Sequence, residues 1–480
     1  MAVSARLPQV IQGGMGIAVS NWRLANAVSR LGQLGVVSGT AIDTVLVRRL
    51  QDGDEGGHMR RAMRHFPLPR VAEELLERYF LPHGREAGQP YRLLPVYRQH
   101  VHESRQQATM LAAFVEVWLA KEGHDGMVGM NLLTKIQMPT LPLLYGAMLA
   151  SVDVVLMGAG IPKEIPGALD AMARHEPATL RFDVTGLAAG DSESLTFEPR
   201  AVNPDASTSL HRPLFFPIVS AASLAQTLAR KSNGRVDGFV VEGPTAGGHN
   251  APPRGALRVD DLGEPIYGER DIVDLSTMRG IGLPFWIAGG AGSPQALEQA
   301  LAEGAAGIQV GTLFAFSNES GFTDQIKRTV IDAATRGELQ VRTDVRASPT
   351  GYPFKLVITD PAADCAAVVP RTRICDLGYL RDAVKRENGA IIYRCPAEPV
   401  EHYVAKGGAI EDTVDRQCLC NALCAGIGEP QLRADGSEEP VLVTSGDDVL
   451  HLARFLAGRA TYSAADVITF LTSPRPLAPA

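Results

Sequence analysis

Residues 288–293 (AGGAGS) and 309–312 (QVGT) each end an apolar run in bare glycine. Gly289, Gly290 and Gly311 leave backbone N–H groups open to close approach by an anion, and Thr312 adds a hydroxyl. Ser293 followed by Pro294 starts a helix whose positive dipole end reinforces them. Tight turns alone would also explain these glycines, but two such motifs at consecutive strand ends favour a phosphate grip. Near the N-terminus, Gln12-Gly13-Gly14-Met15-Gly16 offers small residues against which a flat ring can lie, with Met15 packing on it. Asn131 supplies an amide that donates and accepts toward polar ring edges. The stretch from Glu242 to His249, through Gly247 and Gly248, delivers an imidazole to a strand end. A lone histidine is more often structural; this placement suits a proton-transfer group that titrates near neutrality.

A second kind of chemistry is written in the cysteines. All six (Cys365, Cys375, Cys395, Cys418, Cys420, Cys424) fall between residues 365 and 424. The opening MAVSARLPQVIQGG lacks the apolar run of an export signal, so a reducing, cytoplasmic setting is expected and disulfides are disfavoured. Cys375, Cys395, Cys418 and Cys420 then suggest a four-thiolate site for an iron–sulfur cluster or zinc, with Cys424 or Cys365 as a spare. Their spacing is not that of a C-x2-C zinc ribbon, and the Cys395-Pro396 pair resembles a cluster ligand. Buried unligated thiols, or a redox-active pair, are the competing readings.

These residues need elements to position them. Eight short apolar runs, most ending in glycine, occupy 8–13, 34–39, 126–132, 152–158, 214–220, 236–243, 283–290 and 306–312. Helical stretches fill the gaps; Asn21 caps one in which Leu24, Val28 and Leu31 share a face before Gly32 stops it. Strand, loop and helix alternating eight times is the pattern of an α/β fold, a (β/α)8 TIM barrel, whose ligands sit where the strands end. A barrel takes about 250 residues, so a chain of 480 carries additions. Residues 1–340 are expected to form the barrel. A helical insertion spans about 52–125, a candidate lid beside the mouth, and 178–212 reads as a hairpin. From about 341 the pattern changes: SPTGYPFKLV is turn-rich, the cysteine region follows, and two helices close the chain.

Composition limits the function. A hydrophobic fraction of 45% suits a globular chain, and a net charge of −7 gives no general attraction to nucleic acid or anionic membranes. Arg60, Arg61, Arg64 and Arg70 lie near Glu73, Glu74 and Glu77, the pattern of a salt-bridged helical surface; contact with an anionic substrate or carrier protein is the alternative. The apolar stretch Leu141–Pro162 contains Asp153 and three glycines, so it reads as a buried helix and strand, with no membrane span.

Through IQGGMG, MNL, the GGH loop, IAGGAGS and IQVGTLFAFSNES, residues 8–320 resemble the nitronate monooxygenase (2-nitropropane dioxygenase) family, FMN enzymes on a barrel fold. That resemblance implies His249 as the base toward the carbon beside a nitro group, or as an aid to flavin reoxidation. It also implies Met15, Asn131, Gly248, Gly289, Gly290, Gly311 and Thr312 as FMN contacts, with Gln12, Gly13, Gly14, Glu242 and Gly247 on the same loops. The chain also resembles flavin-dependent enoyl-acyl-carrier-protein reductases and trans-acting enoyl reductases: Glu242 stands where the nitronate enzymes carry Gln, and residues 215–225 match the reductases' strand and helix. Those relatives imply NAD(P)H and an acyl thioester on a carrier protein, in place of a small nitro or nitronate substrate. A noncatalytic flavin- or metal-binding subunit is a third option, and a homo-oligomer is left open.

Overall fold

A computed structural model describes residues 7–359 and 371–473, which leaves Cys365 outside the described residues. Eight parallel strands form one sheet: β1 (Val10–Gln12), β2 (Gly35–Ser38), β3 (Val128–Leu133), β4 (Val154–Gly158), β5 (Leu214–Val219), β6 (Phe239–Glu242), β7 (Phe285–Ala288) and β8 (Gly307–Val310). From β2 onward each strand pairs with the next in sequence, and β8 returns to β1 with Ile308 opposite Val10. The last seam, β1 to β2, closes by a bridge between Ile11 and Leu34. There the Gln12 side chain stands in for a ladder partner, its Oε1 accepting from Val36 N–H at 3.0 Å. The eight runs are thus the eight strands of a (β/α)8 barrel.

Period-two alternation sorts the side chains. Ile11, Val36, Leu156, Phe216, Val240 and Trp286 form an inner cluster that fills the barrel. Phe216 and Trp286 stack at 4.8 Å between centroids, and Trp286 Nε1 donates to the Pro8 carbonyl at 2.8 Å. Their neighbours Val10, Val37, Val155, Phe215, Phe239 and Ile308 point outward and pack under the helices.

The helices follow local signals. Asn21 caps Trp22–Arg30, accepting from Leu24 N–H at 3.0 Å, and Ser293 caps Pro294–Ala302, accepting from Ala296 N–H at 3.1 Å. Leu24 and Val28 are buried as expected, but Leu31 is 45% exposed, because the helix stops one residue earlier and the turn at Gly32 swings it out. Leu141–Pro162 becomes the helix Thr140–Leu149 followed by β4. Gly146 on that helix touches Glu103–Lys121 so closely that a Cβ would stand 2.1 Å from the Met110 carbonyl. No helix among the described residues is long and apolar enough to cross a membrane.

The expected lid does not cover the mouth. Glu103–Lys121 is a buried crossover helix, and His58–Met63 and Pro69–Tyr79 pack on its outer side. No residue between Ala41 and Asn131 lines the mouth cavity. The arginines of this region pair with Asp54 (Arg60), Glu122 (Arg61) and Glu74 (Arg70), an ordinary ion-paired surface. Residues Ala178–Phe182 and Glu193–Phe197 form an antiparallel hairpin.

The chain beyond β8 wraps back over the barrel. Gln340–Asp344 and Phe354–Ile358 pair as a hairpin, whose second strand begins inside the turn-rich SPTGYPFKLV. The terminal helix Ala464–Thr472 packs between Trp22–Arg30 and Pro294–Ala302, filling the position of the eighth barrel helix, and its residues join the main core. A buried charge cluster ties the additions down. Asp43 receives Arg105 Nη1 at 2.7 Å, Thr109 Oγ1 at 2.8 Å and the Tyr379 hydroxyl, so a residue past 340 is bonded to the first turn of Ile42–Gln51. Burial pushes the Asp43 carboxyl up, but Arg105 and the three hydrogen bonds outweigh it and hold the pKa below its ordinary value.

Removing one partner of such a pair leaves a buried charge uncompensated. Asp43→Ala is expected to lower unfolding stability by about 3–5 kcal/mol in denaturant titrations, and the double variant Asp43→Leu/Arg105→Met by clearly less. Because the folded pKa is depressed, the contribution is present above the unfolded carboxylate value near ~3.9 and is lost as pH falls through the folded one. Equal losses in the single and double variants would refute the pairing.

Candidate active site

The C-terminal ends of the strands surround one cavity. Of the twelve expected cofactor contacts, eleven line it: Gly13, Gly14 and Met15 from the loop after β1, Asn131 from β3, Glu242, Gly247 and Gly248 after β6, Gly289 and Gly290 after β7, and Gly311 and Thr312 after β8. His249 lines it too. Gln12 does not. Its amide is spent on the Gly13 carbonyl, Ser20 Oγ and Val36 N–H, so the expected ligand contact is a structural clip across the barrel seam.

The turn after β7 needs glycine, since Gly289 and Gly290 have φ of 86° and 67°, and a Cβ on Gly289 would press on Thr245 Oγ1 at 3.0 Å. Among the described residues the N–H groups of Gly290 and Gly311 have no acceptor. Gln309, one residue before Val310, lines the same cavity, and its Oε1 is buried with no donor. Free amide donors on one side and an orphaned carbonyl oxygen on the other fit a ligand with an anionic tail and a polar ring.

Sequence reasoning missed the cover of this cavity. Residues 444–448 cross the mouth: Gly248 N–H donates to Thr444 Oγ1 at 2.9 Å, Gly446 N–H to Thr312 Oγ1 at 3.1 Å, Asp447 N–H to the Thr245 carbonyl at 3.0 Å, and Gly292 N–H to Asp448 Oδ2 at 2.9 Å. Loops after β6, β7 and β8 are therefore joined by one strap. Burial pushes the Asp448 carboxyl up. Its sequence, TSGDD, is turn-like and carried no signal of where it docks.

Two ionisable groups face the cavity with opposite shifts. Glu242, at the end of β6, is enclosed by protein with no cationic partner, and burial alone pushes its pKa up to about 7. His249 is pushed down to about 4, first by burial and then by the charge of Lys135. Its Nε2 is 2.7 Å from Ser348 Oγ, and its ring meets Phe354 edge to face at 4.8 Å. Ser348 and Phe354 come from the hairpin that the turn-rich segment concealed.

The four cysteines expected to share a site, Cys375, Cys395, Cys418 and Cys420, do come together, lining one small hollow. Cys424 does not line that hollow; it packs with Ile17, Val45 and Leu377 in a cluster that Cys420 also touches. Among the described residues no group of three or more His, Cys, Asp or Glu side chains is placed to hold a metal ion, and the five described cysteines are unbridged.

Residues 187–357 match the family model described as nitronate monooxygenase. Over 144 residues the chain is 28% identical to a (3aS,4S,5R,7aS)-5-hydroxy-7a-methyl-1-oxo-octahydro-1H-indene-4-carboxyl-CoA dehydrogenase of Mycobacterium tuberculosis (strain ATCC 25618 / H37Rv), covering 30% of this chain and 35% of that protein. The chain thus aligns with about a third of that curated relative's length. Among solved structures, FabK from Thermotoga maritima aligns at 16% identity and a TM-score of 0.45, over 97% of this chain and 91% of that one. A nitroalkane oxidase from Streptomyces ansochromogenes aligns at 16% and 0.46, over 97% and 94%. Neither likeness bears on substrate or reaction. The matched residues 187–357 hold four of the eight barrel strands together with Glu242, His249 and both phosphate-type glycine loops, so over that part the chain is similar to the nitronate monooxygenase family.

Proposed function

We propose that the protein is an FMN-dependent oxidoreductase acting on a small nitro or nitronate substrate, with Glu242 and His249 handling the proton. The observation that carries this reading is the single cavity in which two glycine loops, the Gly13-Gly14-Met15 shelf, Asn131 and both titratable groups meet. The phosphate would lie on the N–H groups of Gly290, Gly311 and Thr312, and Gln309 and Asn131 would take the polar ring edge. FMN bound there would supply the two-electron exchange.

The side chains divide the remaining work. With a pKa near 4, His249 stays neutral through the physiological range and is a weak base; fixed by Ser348, it suits a hydrogen bond to a substrate oxygen. Glu242, near 7, exchanges its proton at working pH and is the better matched group for taking the proton from the carbon beside a nitro group.

A second reading is favoured by one observation: the curated relative acts, by its name, on a carboxyl-CoA, an acyl thioester. An enoyl-thioester reductase would use the protonated Glu242 to place a proton on the α-carbon while a hydride reaches the β-carbon, and would draw on NAD(P)H.

The sign of the pH dependence separates the two. Proton abstraction needs the carboxylate, so kcat/KM with a nitroalkane is expected to rise through about 7, whereas proton donation needs the acid, so thioester reduction should fall through the same value. Glu242→Gln should abolish that limb in either case, and His249→Ala should lower the rate by about 10²–10⁴-fold without moving it. A limb near 7 that survives in Glu242→Gln would refute the assignment.

Flavin binding has its own check. The purified protein should retain FMN or take it up on reconstitution, and Gly311→Asp, which sets a carboxylate on the phosphate loop, should lose it by absorption and by dialysis. A wild-type protein that stays colourless with FMN would overturn the reading.

A further inference from the structure

Four thiols from three separate segments face one hollow. Cys375 lies in the turn that leads to Tyr379, Cys395 follows the strand Ile391–Arg394, and Cys418 and Cys420 open the helix Leu419–Gly426. We propose that Cys375, Cys395, Cys418 and Cys420 ligate an iron–sulfur cluster of the four-iron kind, set into the wall of the active-site cavity.

The surroundings supply hydrogen-bond donors to sulfur. Backbone N–H groups of Ala397, Asn421 and Leu380 are directed at the sulfurs of Cys395, Cys418 and Cys420, and Asn421 Nδ2 lies 3.7 Å from Cys418 Sγ. Donors aimed at sulfur stabilise its anionic form and are how proteins tune such clusters. The charges of Arg373 and Arg381 act on Cys395 and Cys375, while both guanidinium groups donate to backbone carbonyls and form no salt bridge among the described residues. Asp376 and Glu398 act on the same cysteines with the opposite sign, so the two cations offset only part of the negative charge that a thiolate-bound cluster carries.

The arrangement also selects among metals. A zinc site draws four sulfurs onto one ion, and no group among the described residues is so placed. In a four-iron cluster each thiolate binds a different iron, which suits four cysteines that line one hollow without converging on a single-ion position. Cys424 does not line the hollow; it is buried one helical turn beyond Cys420, in an apolar cluster beside Arg48.

Leu380, Leu419 and Cys420 line both the hollow and the active-site cavity, so the wall between them is one residue thick. The cluster would touch the cavity through Cys420.

The test is metal analysis of the full chain purified without oxygen, and again after incubation with ferrous iron and sulfide. About four iron and four acid-labile sulfide per chain are expected, with a paramagnetic signal on reduction by dithionite. Cys424→Ser should keep that content and Cys418→Ser should lose most of it. Zinc in place of iron in the wild-type protein would overturn the proposal. So would freely titrating thiols with no metal after reconstitution, or iron loss as complete in Cys424→Ser as in Cys418→Ser. The wild-type readings stand whether or not a variant folds.

Discussion

The strap at residues 444–448 is the constraint on which the mouth of this barrel depends. Strand ends are fixed by their ladders, but the loops beyond them are held only by what they touch. Here one short segment bonds to Gly248, Thr245, Gly292 and Thr312, and so sets the spacing of three loops at once. The glycine backbone that leaves room for a ligand would otherwise be the least ordered part of the site, because glycine loses most conformational freedom on ordering. The C-terminal region is therefore structural support for the cavity. Asp43 plays the matching part on the opposite side: by gripping the Tyr379 hydroxyl it fixes the wall that carries Leu380.

Much of this was legible in the sequence because the barrel obeys local rules. β-branched runs ending in glycine made strands, and Asn21 and Ser293 capped helices, through contacts within a few residues. The glycines, Asn131, Glu242 and His249 reached one cavity because strand ends in a parallel barrel must point the same way. What was not legible depends on distant partners. Gln12 looks like a ligand contact from its neighbours, yet its amide replaces a missing ladder bond to Val36. Ser348 and Phe354 meet His249 only through a hairpin whose turn-rich sequence hides the strand. The strap residues carry no motif at all. Helices of the 52–125 region looked like a lid because nothing in their sequence states that Glu103–Lys121 faces inward along most of its length.

The electrostatics of the site follow from enclosure. The same exclusion of water that raises Glu242 lowers His249, since burial disfavours whichever form is charged. Lys135 then adds to the depression of the histidine, while Glu242 has no cation to restore it. The two groups are driven toward each other's ordinary range and past it, so the carboxyl takes over the role of titrating near neutrality. The strap bonds the loop that follows β6, which links the packing of the C-terminal region to the chemistry of that strand.

The helix Ala464–Thr472 sits where the eighth helix of the barrel belongs, yet the whole C-terminal region separates it from β8. During synthesis the barrel's strands emerge long before the helix that covers the seam between the first and seventh crossover helices. Until then the apolar faces of Trp22–Arg30 and Pro294–Ala302 wait for their partner, exposed to solvent or to other chains. Closing so long a loop costs little additional free energy but much time. A helix made long after β8 therefore completes the first wall of the fold.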